Sequence, residues 1–472
     1  MEKNRNTFKG SIGFVLAAAG SAVGLGNIWR FPYLASKDGG GIFVFVYLIL
    51  AVTFGFALLT AEVAIGRKTK QGPLTAYSKL KSGWKPLGVL SCLVPLIIMP
   101  YYCVIGGWVL KYLLVFITGE GSLAAADSYF SSFITAQWEP ILLFVIFLFA
   151  VSLIVFNGVN KGIEATSKII MPVLLILVIA ISIFSLTLKH SAINSETNEV
   201  ITRTGLQGLK IYLVPNFDGM TIGKFLTVVV DAMGQLFYSL SIAMGIMVAY
   251  GSYVHDDANI VKSVNQIEIF DSAVAVLAGI MIIPAVVVFM GEENMAAGPS
   301  LMFVILPKVF AAMGKVGVII GIMFFALVLF AAITSAVSVM EAIVSSIIDQ
   351  FHLSRPKAVL IEAGIALIAG IFVCLGYNKL YFEFKLPNGS VAQILDIMDY
   401  ISNNFMMPIV AILTCVLVGW VIKTESITDE ITKNGEKFGR KWLFNIMIKY
   451  VAPVLLFVLF LQSVGILRLK YF

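Results

Sequence analysis

The chain has 472 residues, 59% of them hydrophobic and 13% charged, with a mean hydropathy of +0.95. These values exclude a soluble globular protein and describe a polytopic membrane protein whose length is taken up by spans. A net charge of +6 would suggest nucleic acid in a soluble chain, but here basic loops on one side of a bilayer account for it.

The first ten residues, MEKNRNTFKG, are polar and run straight into a span, so no cleavable signal is expected. Residues 11–35 are long enough to cross a bilayer. Yet Gly20, Gly24 and Gly26 crowd the centre of that span, and each weakens a helix by roughly 1 kcal/mol relative to alanine. Gly20-x-x-x-Gly24 also fits the small-residue pattern of close helix packing. Asn27 and Arg30, one turn apart, are polar groups that packing does not require. Unwound backbone in hydrocarbon is tolerated only where it lines a cavity or binds something, so the break is expected to hold a site.

Further spans are expected at 41–65, 87–117, 139–156, 163–188, 224–252, 259–290, 316–350, 357–376, 391–421 and 446–467, eleven in all. An odd number places the termini on opposite sides. Arg67, Lys68, Lys70, Lys79, Lys81 and Lys85 after span 2, and the segment from Lys423 to Lys449, put the heavier basic load on the side of the N-terminus. That side is therefore expected to be cytoplasmic and the C-terminus extracellular. Loops 118–138, 189–223, 291–315 and 377–390 then face outward, long enough for one of them to serve as a lid, and the apolar stretch from Phe289 to Lys315 is expected to fold back on the protein.

The four cysteines, Cys92, Cys103, Cys374 and Cys415, lie in apolar stretches without metal or disulfide spacing and read as small buried hydrophobes. At the start of span 5, Gly162 and Pro172 bracket a weak helical segment. Span 6 is interrupted from Ser239 to Gly245, five spans after the first break. Matching interruptions point to a midplane site in an inverted-repeat transporter. The expected organisation is a latch at 1–10, one repeat over 11–188, a second over 224–421, and an added span at 446–467. In span 7, Asp271 stands inside IEIFDSAVAVLAG, where a carboxylate costs at least about 2.5 to 3.5 kcal/mol and is a site candidate by default. Span 8 carries Thr334 and Ser335, hydroxyls that commonly bond back to their own helix. Glu62, Asp349 and Asp399 lie nearer span ends and suit ion pairs. No P-loop is present, and His190, His255 and His352 all fall in loops without a nucleophile partner, so an enzyme is not expected.

The stretch Ala22-Val23-Gly24-Leu25-Gly26-Asn27-Ile28-Trp29-Arg30-Phe31-Pro32-Tyr33, followed by Asp38-Gly39-Gly40-Gly41, strongly resembles the first span and turn of the neurotransmitter:sodium symporters, the family of the bacterial leucine transporter LeuT. Glu62 with Gly66-Arg67, Tyr101-Tyr102, Lys161-Gly162-Ile163-Glu164, Met171-Pro172, Gly234-Gln235-Leu236-Phe237 and Thr334-Ser335 extend the resemblance over nearly the whole chain. Eleven spans resemble a bacterial subgroup that includes the multi-hydrophobic amino acid transporter. The resemblance implies the LeuT fold, an all-α polytopic membrane protein with a 5+5 inverted repeat and broken spans 1 and 6.

It also implies two sodium sites. The first would be built from the Ala22 carbonyl, Asn27, Ser239, Asp271 and the substrate carboxylate. The second would use the carbonyls of Gly20, Val23 and Ala331 with the hydroxyls of Thr334 and Ser335. The substrate site would comprise Ala22, Leu25, Gly26, Ile98, Tyr102, Tyr238, Ser239, Ser241, Met244, Ser335 and Val339. Of these, the Leu25 and Gly26 amides and Tyr102 would hold a carboxylate. Arg30 and Asp399, with Tyr102 and Tyr238 beneath, match an extracellular gate; Arg5 and Asp349, capped by Tyr253, match a cytoplasmic one. Phe8 stands where the family usually has tryptophan, which weakens that latch slightly.

Two positions discriminate within the family. Asp271 replaces a common asparagine, and Ala275 stands where LeuT has glutamate, so chloride independence is expected. Gly24 stands where monoamine transporters carry aspartate, so the substrate is expected to bring its own carboxylate. The function implied is sodium-coupled import of hydrophobic, aliphatic or aromatic, L-amino acids across a bacterial-type inner membrane, with no nucleic acid and no obligate protein partner. A non-transporting sensor or a channel on the same scaffold is the alternative.

Overall fold

The structure, a computed structural model, describes residues 7–193, 200–295 and 298–467. It is almost wholly helical. Two short antiparallel hairpins, Lys189–Ile193 with Val200–Thr204 and Phe384–Lys385 with Val391–Ala392, interrupt the helices. Among the described residues, nine helices are long and apolar enough to cross a membrane. These are Gly41–Thr69, Lys85–Ile117, Glu139–Phe156, Val159–Thr187, Ile260–Phe289, Lys315–Phe351, Arg355–Leu375, Ile394–Val421 and Lys441–Ser463. We number them spans 2 to 5 and 7 to 11.

Span 1 is the pair Ser11–Ala22 and Gly26–Lys37, bent by 51° at the glycine-rich break. Span 6 is also halved, into Ile222–Ser239 and Ile246–Gly251, the second half too short to cross a bilayer alone. Several helices overrun the hydropathic stretch that marks them: span 2 continues to Thr69 and span 11 begins at Lys441. At the end of span 2 packing against neighbours covers the extra turn, where Gly66, Arg67 and Thr69 are buried.

The halves of the broken spans are held between continuous helices. The first half of span 1 packs on spans 7, 8 and 5, while both halves of span 6 lie along span 2. Span 8 runs against span 3 for much of its length. Gly66 and Gly251 allow spans 2 and 6 to approach at backbone distance, since a Cβ at Gly66 would meet the Val248 carbonyl. Cys103, Cys374 and Cys415 are buried and Cys92 partly so, all as free thiols. The helix Leu301–Ala312, with the turn before it, folds back so that Phe303 stacks 5.0 Å from Phe130 and lies tilted 5.0 Å from Tyr112.

At the opposite end a polar clamp ties span 2 to the helix Lys423–Ile431 that follows span 10. Arg67, fully buried, donates from Nε to Glu430 at 2.7 Å, from Nη2 to the Glu430 carbonyl, and from Nη1 to the Ala258 carbonyl at 2.6 Å. Lys433 reaches the same Glu430 carboxylate at 3.2 Å from a more exposed position. Asp256, bonded by Lys70 at 2.7 Å and approached by Lys433, has its carboxyl held below the usual carboxylate range. Removing one partner of a buried charge pair typically costs about 3 to 5 kcal/mol, whereas exposed pairs are worth about 0 to 1. Arg67→Ala should therefore lower the melting temperature of the purified protein sharply, and Lys433→Ala should leave it nearly unchanged, in a thermal-shift measurement.

Candidate functional site

Span 1 leaves the helix at Ala22, where the Val23 amide still bonds the Ala19 carbonyl at 2.7 Å. It resumes as a π-helical turn over Gly26–Arg30. Such turns are rare and concentrate at functional sites. In span 6, Ser241, Ala243 and Gly245 adopt positive φ of 53°, 64° and 70°. For the two non-glycine residues this costs of order 1 to 3 kcal/mol each unless the surroundings enforce it. They do so here. Glu62 of span 2 accepts a hydrogen bond from the Ala243 amide at 2.7 Å. Ser241 donates to the Ser21 carbonyl at 3.1 Å, and the two serine hydroxyls lie 3.1 Å apart. The breaks are thus joined to each other and anchored to a continuous helix.

Asp271 lies fully buried where the broken spans meet span 7. Its Oδ1 accepts from Asn27 Nδ2 at 2.7 Å and lies 2.7 Å from the Ser239 hydroxyl, while Oδ2 accepts from Tyr47 at 3.0 Å. Ser239 also lies 3.1 Å from Asn27 Oδ1. Among the described residues no lysine, arginine or histidine pairs with this carboxylate. A buried ionised carboxylate is tolerated only when paired, so three neutral donors leave the charge balance incomplete. The oxygen-rich donor set suits a hard cation.

A second group forms between spans 1 and 8. Ser335 Oγ lies 3.2 Å from the Ser21 carbonyl and 3.4 Å from that of Gly20. Thr334 donates to its own helix, at 3.0 Å from the Phe330 carbonyl and 3.1 Å from that of Ala331, the ordinary behaviour of a span hydroxyl. Gly20 is pressed against it: a Cβ there would stand 3.1 Å from both Thr334 Cβ and Met171 Sδ. Gly20, Ala331, Thr334 and Ser335 therefore converge on one place, with Val23 at the adjoining helix exit.

Between the breaks lies a narrow cavity lined by all the residues expected to contact substrate, together with Ser21, Gly24 and Asn27. The Tyr102 hydroxyl is buried and has no hydrogen-bond partner among the described residues, an acceptor-seeking group facing this space. A Cβ at Gly24 would lie 2.9 Å from Ser335 Oγ and 3.5 Å from the Tyr102 hydroxyl, so any larger residue would fill that corner. A Cβ at Gly26 would meet the Tyr238 ring at 2.9 Å.

Arg30 and Asp399 form no direct ion pair. Asp399 Oδ1 instead accepts from Tyr101 at 3.2 Å and from Asn403 at 2.6 Å, while the Arg30 guanidinium is turned toward Gly234 of span 6. Lys37 at the C-terminal end of span 1 reaches Asp231 of span 6 at 2.8 Å and Asp38 at 3.5 Å. Burial, reinforced by the Asp231 charge, pushes the Asp38 carboxyl up to about 7.

At the other mouth, Arg5 lies outside the described residues. Asp349 accepts from the Gly72 amide at 2.5 Å. The Tyr253 hydroxyl donates at 2.5 Å to Glu341, which Arg355 grips at 2.6 and 2.8 Å. Phe8 is buried against Phe14, Tyr250 and Tyr253, and the Lys9 amide donates to Glu164 at 2.8 Å. The N-terminal segment is thereby fastened to the π-helical start of span 5, Val159–Glu164.

The model of the sodium:neurotransmitter symporter family matches residues 5–136 and 131–471. The chain belongs to the sodium:neurotransmitter symporter family. A sodium-dependent transporter of Bacillus subtilis, YhdH, is 32% identical over 465 residues, covering 97% of each chain. The human sodium- and chloride-dependent GABA transporter 2 is 26% identical, over 90% of this chain and 75% of its own. The solved structure of MhsT in complex with L-phenylalanine is 33% identical and superposes with a TM-score of 0.83, covering 98% of this chain and 100% of that one. This symporter thus has the LeuT fold and is a transporter rather than an enzyme.

Sequence reading passed over Tyr47, a lone hydroxyl in the apolar run GIFVFVYLIL, and the Glu341–Arg355 pair at the far mouth. Tyr47→Phe removes one of three donors to Asp271 and should weaken sodium-dependent substrate binding about three- to tenfold while leaving the melting temperature within a few degrees, measured by equilibrium binding at graded sodium.

Proposed function

We propose that this symporter imports hydrophobic L-amino acids, with two sodium ions carried per cycle and no requirement for chloride. The observation that carries this reading is the buried Asp271, which has three neutral donors and no cationic side chain among the described residues. A sodium ion among the Ala22 carbonyl, Asn27, Ser239 and Asp271, completed by the substrate carboxylate, supplies the missing charge. The second ion is assigned to the carbonyls of Gly20, Val23 and Ala331 with Thr334 and Ser335, since a hydroxyl that donates to its own helix, as Thr334 does, keeps lone pairs for a cation.

Substrate class follows from the cavity. Gly24, where a Cβ would crowd the Ser335 hydroxyl, supplies no fixed carboxylate, which supports a ligand that carries its own. The Tyr102 hydroxyl and the Leu25 and Gly26 amides are assigned to bind it. Ile98, Tyr238, Met244 and Val339 offer an apolar wall, and methionine adapts to side chains of different shape. The phenylalanine bound to MhsT agrees with an aromatic ligand.

Two sodium ions crossing 100 mV make about 4.6 kcal/mol available, at about 2.3 per charge, enough for roughly thousandfold accumulation. We assign the side holding Phe8 and Tyr253 to the cytoplasm. Opening there would release the Phe8 and Glu164 contacts and unwind the start of span 5, where Gly162 lies in the π-helical turn and Pro172 lacks an amide donor. On the outer side Arg30, Asp399, Tyr102 and Tyr238 would close over the substrate.

Uptake of a radiolabelled amino-acid panel into proteoliposomes tests this directly. Leucine, methionine, phenylalanine, tyrosine or tryptophan should compete, dopamine and serotonin should not, and gluconate should replace chloride without loss. A strong chloride requirement, or competition by amines as strong as by their parent amino acids, would contradict the reading. A pure sensor would bind these ligands and accumulate none. Pro172→Ala should slow turnover several-fold with substrate and sodium binding preserved; unchanged turnover would confine Pro172 to a structural kink.

A further inference from the structure

Away from the transport cavity, a groove of about 380 Å³ opens on the membrane-facing side between spans 2 and 7. Leu48, Val52 and Ile269 line it and are 39%, 50% and 67% exposed, a surface that faces acyl chains in a bilayer. Its floor is charged. Arg440, just before span 11, reaches in beneath Phe56, its guanidinium 3.4 Å from that ring's centre. It donates to the Val52 carbonyl at 2.8 Å, within the π-helical turn Ala51–Gly55, and to Asn265. Arg440 Nη2 also lies 3.3 Å from Glu268 Oε2. Glu268 is 3% exposed, and its second oxygen, Oε1, has no hydrogen-bond partner among the described residues.

A guanidinium on a side chain 30% exposed, beside a buried acceptor that lacks a donor, is complementary to a ligand with one anionic and one N–H-bearing cationic group. Arg440 stands at a span end beside exposed tryptophans, where a lipid headgroup would lie: Trp442, two residues on, and Trp420, 74% and 57% exposed, are at adjoining span ends, where tryptophan marks the membrane interface. None of the groove residues lines the transport cavity.

We propose that this groove binds the headgroup of a phospholipid carrying both a phosphate and a primary ammonium. Arg440 holds the phosphate, Glu268 Oε1 accepts from the ammonium, and the acyl chains lie along Leu48, Val52 and Ile269. An anionic lipid without an ammonium leaves Glu268 unsatisfied. A quaternary ammonium offers it no N–H.

The test uses full-length protein, stripped of lipid in detergent and re-exposed to equimolar palmitoyl-oleoyl phosphatidylethanolamine, phosphatidylcholine and phosphatidylglycerol, with retained lipid identified by native mass spectrometry. One phosphatidylethanolamine should be retained about tenfold over phosphatidylcholine, the discrimination expected of one charge-assisted hydrogen bond. Glu268→Gln should bring that preference close to unity, and Arg440→Ala should abolish retention. If Arg440→Ala does not fold, Val52→Trp, which fills the groove from an already lipid-facing position, should abolish retention with sodium-dependent substrate binding intact. Equal retention of phosphatidylethanolamine and phosphatidylcholine, preferred retention of phosphatidylglycerol, or a Val52→Trp protein that retains phosphatidylethanolamine normally would overturn the proposal.

Discussion

A carboxylate at the middle of a membrane protein is the constraint on which the rest of this structure depends. Asp271 is out of reach of water and of every described basic side chain, yet Asn27, Ser239 and Tyr47 converge on it. Neutral donors alone do not balance a buried charge. The arrangement makes sense as a site that is complete only with a cation, and this couples ion occupancy to the position of three helices at once. Asn27 sits just beyond the break in span 1 and Ser239 just before the break in span 6, so whatever settles on Asp271 also settles where the two halves point.

The breaks themselves are costly, and the fold offsets that cost locally. Ser241 and Ala243 are held at positive φ, and the freed Ala243 amide finds Glu62 on a continuous helix. Ser21 and Ser241 bond across the gap between the two breaks. These are short-range polar contacts between neutral groups. Charged contacts lie further out, in the Arg67–Glu430 clamp and the Glu341–Arg355–Tyr253 group, where buried charges are partnered.

Much of this was legible in the sequence, for a physical reason. Glycines clustered at mid-span, and Asn27, Asp271, Thr334 and Ser335 in otherwise apolar runs, are expensive in hydrocarbon and therefore conspicuous. Tyr47 was not conspicuous because a tyrosine in an apolar helix reads as packing until its hydroxyl is seen to have a purpose. The partners of Asp399 could not be read either: that Tyr101 and Asn403 bond it depends on side-chain direction, which spacing alone does not encode. Glu268 and Arg440 are separated by most of the second repeat, and only the packing of the segment before span 11 under span 2 brings them together.

The central claim is that the chain's own oxygens form two monovalent-cation sites flanking one amino-acid cavity. The most direct measurement is anomalous diffraction from crystals grown with a hydrophobic amino acid and with thallium(I) replacing sodium, since thallium is a heavy monovalent ion that scatters anomalously. The account predicts two peaks, one within bonding distance of Asn27, Ser239 and Asp271, the other among Gly20, Val23, Ala331, Thr334 and Ser335. Absence of a peak at Asp271 in a substrate-bound structure, with signal only elsewhere, would contradict it.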